Sequence, residues 1–481
     1  MAIKKSEIYS QIWAACDKLR GGVEPARYKD YILTLLFVKY VSDRFKSSDN
    51  WDIEVPEGGS FDDVIALKYK KNIGEGINII IGKLAEANDL KGIIDIADFN
   101  SEELGTDKEA VDKLSGLVEI FQKPELDFTN NRAGGDDILG DAYEFLMRKF
   151  AQDSGKSKGQ FYTPGEVSRI MAKVIGIDKA TDPSMTVYDP ACGSGSLLLK
   201  VEKVLGKDHI ERGFYGQEID LTTYNLCRIN MFLHNIEFDK FSVVREDTLL
   251  SPQHWDDQPF ELIVSNPPFS VPWEGDKNPL LINDPRFSPA GVLAPASKGD
   301  MAFIMHSLSW LASNGAAAIV CFPGIMYRGG AEQKIRKYLV DNNFVDAIIQ
   351  LPSNLFLNVT ISVDIMLLKK NKTDNAVLFV DASKEFVKVT KNNRLSDANI
   401  RRIVSAVAER KDEQHFARLV PNDEVGSKQN NYNLSVSTYV EQEDTREKID
   451  IVKLNAEIAE IVAREQKLRE EIDRIIGEIE G

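Results

Sequence analysis

The chain reads as an α/β protein: a doubly wound sheet set between a helical N-terminal domain and a C-terminal coiled-coil-like helix. Three observations predict this. From about residue 160 strand-like runs alternate with helical ones, the rhythm of a mostly parallel sheet with helices on its faces. The preceding stretch shows helical periodicity alone. The tail from about residue 445 carries apolar residues at alternating steps of three and four, as in a coiled coil or bundle strand. At 481 residues the chain is too long for one ordinary core. We place the boundaries at 1–155, 156–440 and 441–481.

Each element has its own signal. Ile8, Ile12, Cys16 and Leu19 recur at helical spacing after Ser6, which reads as an N-cap, although Tyr9 stands where a capping box wants Glu or Gln. Further apolar helices are expected over 31–45 and 141–152. TVYD (186–189) precedes a Gly-rich turn and a helix over 196–205. FYGQEI (214–219) precedes a helix over 222–234. The run SVVRE follows, and then FELIVS (260–265). Segments 315–322, 345–351 and 362–370 are further β-rich runs, with a helix over 332–340. The proline-rich stretch 267–295 reads as a long loop, and such loops in α/β domains are often functional. In the tail, Ile451, Leu454, Ile458, Ile461, Leu468, Ile472, Ile475 and Ile479 form the apolar stripe, interrupted by Glu465. The competing reading is a helix folded back on its own domain.

Composition limits the function classes. A 43% hydrophobic and 28% charged chain is ordinary for a folded soluble protein. No apolar run approaches the roughly 20 residues of a membrane helix, and the N-terminus is polar where a signal peptide would be apolar. Cys16, Cys192, Cys227 and Cys321 lie far apart, which predicts a reducing cytoplasm with neither a disulfide framework nor a metal site. The formal net charge is −16. A protein that grips nucleic acid alone usually presents a basic surface, so either a local basic face is hidden in the average or another subunit does the holding.

The turn Asp189-Pro190-Ala191-Cys192-Gly193-Ser194-Gly195 follows a strand and opens a helix. There, glycines admit close backbone approach and the helix N-terminus offers free N–H groups. A tight structural turn explains the same pattern. Glu218, ending the next strand, is placed where an acid bonds ribose hydroxyls in doubly wound folds, so the pair implies a nucleoside-containing ligand. Asp247, with Thr248 after it, can accept from an adenine amino group or simply cap a turn. The sharpest signal is Asn266-Pro267-Pro268-Phe269 at the end of FELIVS. Two prolines fix the backbone and remove N–H groups. The Asn266 side-chain oxygen and the Pro267 carbonyl can then meet one amino group, while Phe269 stacks on the ring bearing it. Two acceptors on the amine hydrogens favour a pyramidal nitrogen whose lone pair can attack a methyl sulfonium. Cys192 has no base near it in sequence and reads as a packing residue. Trp13 and Trp310 read as core. Trp273 and Phe287 are the aromatic candidates to meet DNA.

These motifs, in this order, resemble the γ-class amino-methyltransferases, and specifically the methylation subunits of type I restriction-modification systems. The resemblance runs through GQFYTP (159–164), DPACGSGS (189–196), GQEID (216–220), EDTL (246–249), NPPF, GAAAIVCFP (315–323) and IIQLPSNLF (348–356). Ser194 and Ser196 stand where relatives often carry Thr and Gly. The resemblance implies a Rossmann-like class I methyltransferase sheet, S-adenosylmethionine as cofactor, and N6 of a flipped adenine in double-stranded DNA as the target. Tyr162, Thr163 and Pro164, with Phe161 beside them, would contact the methionine part of the cofactor. Asp189, Ala191 and Gly193 would line its path, among the cofactor-binding turn residues Pro190, Cys192, Ser194 and Gly195. Glu218 would hold the ribose next to Ile219, and Asp247 the cofactor adenine next to Thr248. A specificity subunit would pack on the heptad tail, two copies of this chain joining one such subunit, and restriction subunits would add to these. N-P-P-[FY] also serves methylases of RNA guanine and protein glutamine. A non-catalytic assembly subunit and a nicotinamide-dependent enzyme are the other readings.

Overall fold

The computed structural model describes the chain apart from residues 1–4, 21, 25–26, 48–52, 89, 93, 130–162, 178–184, 207–208, 235, 237, 357–358, 390–391 and 443–450. The helix expected over 141–152, the residues Phe161 and Tyr162, and most of the acidic 441–448 stretch lie outside the described residues. The chain divides into two compact units, Met1–Val440 and Glu441–Gly481.

The front of the first unit is helical: α1 (Lys5–Leu19), α2 (Tyr28–Ser47), α3 (Phe61–Ile65), α4 (Ile73–Ala87) and α5 (Lys108–Phe121). Ile8, Ile12, Cys16 and Leu19 are all buried, as their spacing predicts. α2 buries Ile32, Leu33, Leu35, Leu36, Phe37 and Val38 in near succession, which makes it the central helix of this layer. Ser6 does not cap α1, because the helix already includes Lys5. A well-formed capping box joins Ser60 with Asp63 at α3, where two orphan N–H groups are satisfied reciprocally.

The sheet comprises β1 (Thr186–Asp189), β2 (Gly213–Glu218), β3 (Phe241–Arg245), β4 (Phe260–Ser265), β5 (Leu311–Cys321), β6 (Val345–Gln350), β7 (Asp364–Lys369), β8 (Ala376–Asp381) and β11 (Ala417–Pro421). A separate ribbon is made by β9 (Val387–Val389) and β10 (Asn392–Arg394). The nine strands run in the order β11-β8-β6-β7-β5-β4-β1-β2-β3. β3, β2, β1, β4 and β5 are mutually parallel. β7 runs antiparallel between β5 and β6, β8 is parallel to β6, and β11 closes the edge antiparallel to β8. The carboxyl ends of β1 to β6 and of β8 therefore share one edge. The order reverses between β1 and β4, the switch point at which open α/β sheets bind ligands.

Both faces of this sheet are covered. Along β5, Ala316, Ala318 and Val320 enter the core on one face, while Ala317, Ile319 and Cys321 enter the core on the other, the two-residue period of a strand. The covering helices are α6 (Gly165–Ile175), α7 (Ser196–Leu205), α8 (Leu221–Leu233), α9 (Asp300–Trp310), α10 (Ala331–Asp341), α11 (Asp397–Glu409) and the short α12 (Asn422–Val425). α8 has two apolar faces. Leu226, Ile229, Phe232 and Leu233 join the helical core, whereas Cys227 and Met231 join the sheet core. The side chain of Asn225 on the same helix donates to the Gly92 carbonyl at 2.7 Å.

The second unit is one helix, α13 (Ile451–Glu480), of 30 residues, and every one of them is exposed. The heptad stripe read from the sequence lies along it, with Ile451 and Ile479 the most exposed of its members. Glu465 at the interrupting position pairs with Arg469 one turn on, at 2.9 Å, support of the kind that keeps an exposed helix helical.

Candidate active site

A cavity of about 300 Å³ opens at the switch point, and its walls include Ala191, Glu218, Asp247, Asn266, Pro268 and Trp273. Pro190, Ile219 and Thr248 also line it. Three strand ends, β1, β2 and β4, and the turn after β3 thus converge there. Thr163, Pro164, Asp189, Cys192, Gly193, Ser194, Gly195, Pro267 and Phe269 stand behind or beside the wall rather than on it.

The turn after β1 takes its shape from two glycines at positive φ, Gly193 (+54°) and Gly195 (+76°). A side chain at Gly195 would lie 2.7 Å from Cys227 Sγ on α8, while Gly193 faces open space. Both carboxylate oxygens of Glu218 accept backbone N–H groups, Oε2 from Gly193 at 3.0 Å and Oε1 from Asp220 at 2.9 Å, so one side chain joins the glycine turn to the end of β2. Burial raises its pKa. Asp189 accepts from the Ala191 N–H at 3.0 Å. Burial pushes its carboxyl up to about 7, and its Oδ2 is buried without a well-formed hydrogen bond. Asp247 Oδ1 accepts from Leu249 and Leu250 N–H, which is the turn-capping role. Cys192 is buried beside Gly216 and packs as its sequence context suggested.

The loop after β4 is held from two sides. Asn266 Nδ2 donates to Thr163 Oγ1 at 3.1 Å. Ser270 sits at φ +53°, and its N–H is shared between both oxygens of Asp300, each at 3.1 Å. Asp300 is the first residue of α9 and is buried, which raises its pKa. Phe269 stands 6.3 Å from Phe322, which follows β5. Of the two aromatics offered as DNA contacts, Trp273 is half-buried in the cavity wall, but Phe287 is 2% exposed. Phe287 is a core residue, packed edge-on to Trp273. Trp310 is buried, as expected.

Sequence reasoning missed Arg286. Its guanidinium is 1% exposed and donates to the carbonyls of Thr248 (2.7 Å) and Leu249 (2.8 Å), while Asp284 neutralises it. The proline-rich loop thereby clamps the turn that carries Asp247. Arg286 also faces His306 Nδ1 at 3.2 Å, and His306 Nε2 meets Tyr188 Oη at 2.9 Å. Burial and the Arg286 charge keep this imidazole neutral. With Nδ1 accepting, its proton sits on Nε2 and is donated to Tyr188. Only the Arg in a proline-rich loop was visible in the sequence, and nothing local marks its partners.

A model of the N-6 DNA methylase family matches residues 134–448, and a model of the HsdM N-terminal domain matches residues 8–121. The chain belongs to the N-6 DNA methylase family. The methylase subunit of the type I restriction enzyme MpnII of Mycoplasma pneumoniae is 41% identical over 99% of this chain and 97% of its own. That of MjaVII from Methanocaldococcus jannaschii is 32% identical over 86% and 71%. The crystal structure of the type I restriction-modification methyltransferase subunit of Streptococcus thermophilus superposes with a TM-score of 0.82 at 31% identity, covering 92% of this chain and all of that one. This type I methylase subunit is therefore an adenine-specific DNA methyltransferase that uses S-adenosylmethionine, built on the class I methyltransferase sheet. Methylation of RNA guanine or protein glutamine is set aside by the same findings. No helix among the described residues is long and apolar enough to cross a membrane.

Proposed function

We propose that Asn266 and the Pro267 carbonyl grip the two hydrogens of the adenine N6 amine, with Phe269 stacked on the flipped base. One observation carries this reading. Asn266 is tied through Nδ2 to Thr163, so its amide is fixed with Oδ1 left to accept, on the wall of a cavity shared with Glu218 and Asp247. A neutral amide takes no proton. Its contribution is to orient the amine and localise the lone pair, and the proton leaves to water after transfer.

S-adenosylmethionine supplies the electrophilic sulfonium methyl when bound. The donor set fits such a group: the polar side chains of Glu218, Asp247 and Asn266 stand among the apolar Pro190, Ala191 and Ile219 on the cavity wall. Pro190, Ala191 and Gly193, with Cys192, Ser194 and Gly195 shaping the turn, would hold the cofactor together with Thr163 and Pro164. Glu218 beside Ile219 would take the ribose hydroxyls, and Asp247 with Thr248 the adenine. Phe161 and Tyr162 belong to the same proposed set by sequence.

At the level of the assembly, residues 1–155 would form the helical domain, 156–440 the catalytic domain and 441–481 the assembly tail. The separate apolar core of the front helices and the exposed heptad stripe of α13 support this division. The tail would pack on a specificity subunit, two copies of this chain with one such subunit forming a cytoplasmic methyltransferase to which restriction subunits add. The test is Asn266→Ala in the co-expressed complex. N6-methyladenine formation should vanish with S-adenosylmethionine affinity nearly unchanged; retained methylation would reject Asn266 as the grip.

A further inference from the structure

We propose that the β9–β10 ribbon is the surface on which this subunit contacts the phosphates of the DNA flanking the target base. The proposal rests on the reading of the chain as a DNA methylase. It resolves the tension between an acidic chain, at −16, and a polyanionic substrate, because phosphate neutralisation needs local positive charge rather than a basic average.

Position is the first argument. The ribbon leaves the carboxyl end of β8, the edge that also carries the NPPF loop. β8 and β6 lie on the β5 side of β4, whereas the cofactor cavity lies on the β1–β2 side. The N–H and side-chain amide of Asn393 in β10 bond the carbonyls of Asn354 (3.0 Å) and Ser353 (2.8 Å) in the turn after β6. Arg394 Nε lies 4.0 Å from Glu166, three residues beyond the Thr163 that holds Asn266. The ribbon is thus pinned to the rim of the substrate side by contacts reaching the catalytic loop's own support.

Its surface is the second argument. All three residues of β9 are exposed, and so is Phe386 before it. A two-stranded ribbon is marginal unless packed on something, and the major groove of duplex DNA admits one. Lys384 and Lys388 are exposed and have no ion-pair partner among the described residues. The acid between them, Glu385, is already engaged by Arg402 and Asn399. The ribbon therefore presents uncompensated positive charge.

The test compares the complex bearing wild-type chain with the double variant Lys384→Gln, Lys388→Gln, measuring affinity for a 30-bp duplex against salt and methylation of unmodified plasmid DNA. Loss of two phosphate contacts should lower the log–log salt slope by about 2, raise KM for DNA and leave kcat and S-adenosylmethionine affinity alone. The Lys384→Arg, Lys388→Arg variant should restore the slope. An unchanged slope in a complex that methylates overturns the ribbon proposal alone. A reduced slope in a complex that never methylates leaves the ribbon standing and overturns the methylase reading. Loss of subunit co-purification with an unchanged slope makes the ribbon a protein-docking surface and also overturns the proposal.

Discussion

Asp300 shows how a residue outside the NPPF motif can fix the loop that follows it. Its carboxylate receives the Ser270 N–H from a backbone at positive φ, a conformation that costs a non-glycine residue about 1–3 kcal/mol unless its surroundings enforce it. Hydrogen bonds to a charged group contribute about 1.5–3 kcal/mol. Asp300→Asn should therefore lower kcat about tenfold while leaving S-adenosylmethionine affinity in place, read by steady-state kinetics beside cofactor titration. Asp189 gives a pH prediction. Its folded pKa of about 7 lies above its ordinary 3.8, so the folded state holds the proton more tightly than the unfolded state. Stability is then fullest below about pH 4 for this group and is lost as pH rises toward 7. The cofactor-free subunit should lose Tm between about pH 4 and 7, and Asp189→Asn should lose less; equal slopes would show that Asp189 does not titrate there. The NPPF and glycine turns were legible as turns because each is a contiguous motif closing a strand. Asp300 and Arg286 were not, since each acts on backbone thirty or more residues away, and Phe287 was misread because only the tertiary fold puts Arg286 over its ring.

Among the elements, the turn before α7 and the clamp beneath it make separate demands. Gly195 holds a left-handed φ with Cys227 Sγ where a side chain would go. Gly195→Ala should destabilise the fold by about 1–3 kcal/mol and weaken cofactor binding, checked by urea midpoint and titration. Removing Arg286 strands Asp284 and two carbonyls inside the protein, so Arg286→Ala should cost about 3–5 kcal/mol. Arg286→Lys should recover little of it, because a single ammonium cannot span carbonyls and carboxylate together. Strands β1, β2 and β4 were readable as short apolar runs bounded by turn signals. β8 and β11 were not singled out; β8, AVLFVD, is buried throughout and has no two-residue alternation to mark it. α9 buries nine of its residues and lacks a polar face for the same reason.

For the whole molecule, the division into Met1–Val440 and Glu441–Gly481 carries its own prediction. A chain ending at Val440 should keep its Tm and S-adenosylmethionine affinity but fail to co-purify with the specificity subunit. A fall in Tm instead would mean that α13 contributes to the stability of the larger unit. The heptads announced this helix because a stripe of three-and-four steps is a property of sequence alone.

The two-faced helix α8 has a mechanical consequence. Because protein interiors are close-packed and transmit strain, a party wall between two cores cannot shift for one tenant only. Any rocking of the front helices pushes on Leu226, Ile229 and Phe232, and the opposite side of the same rod bears on Gly195 through Cys227 and Met231. Movement of the front helices and the shape of the glycine turn are in this way geared together.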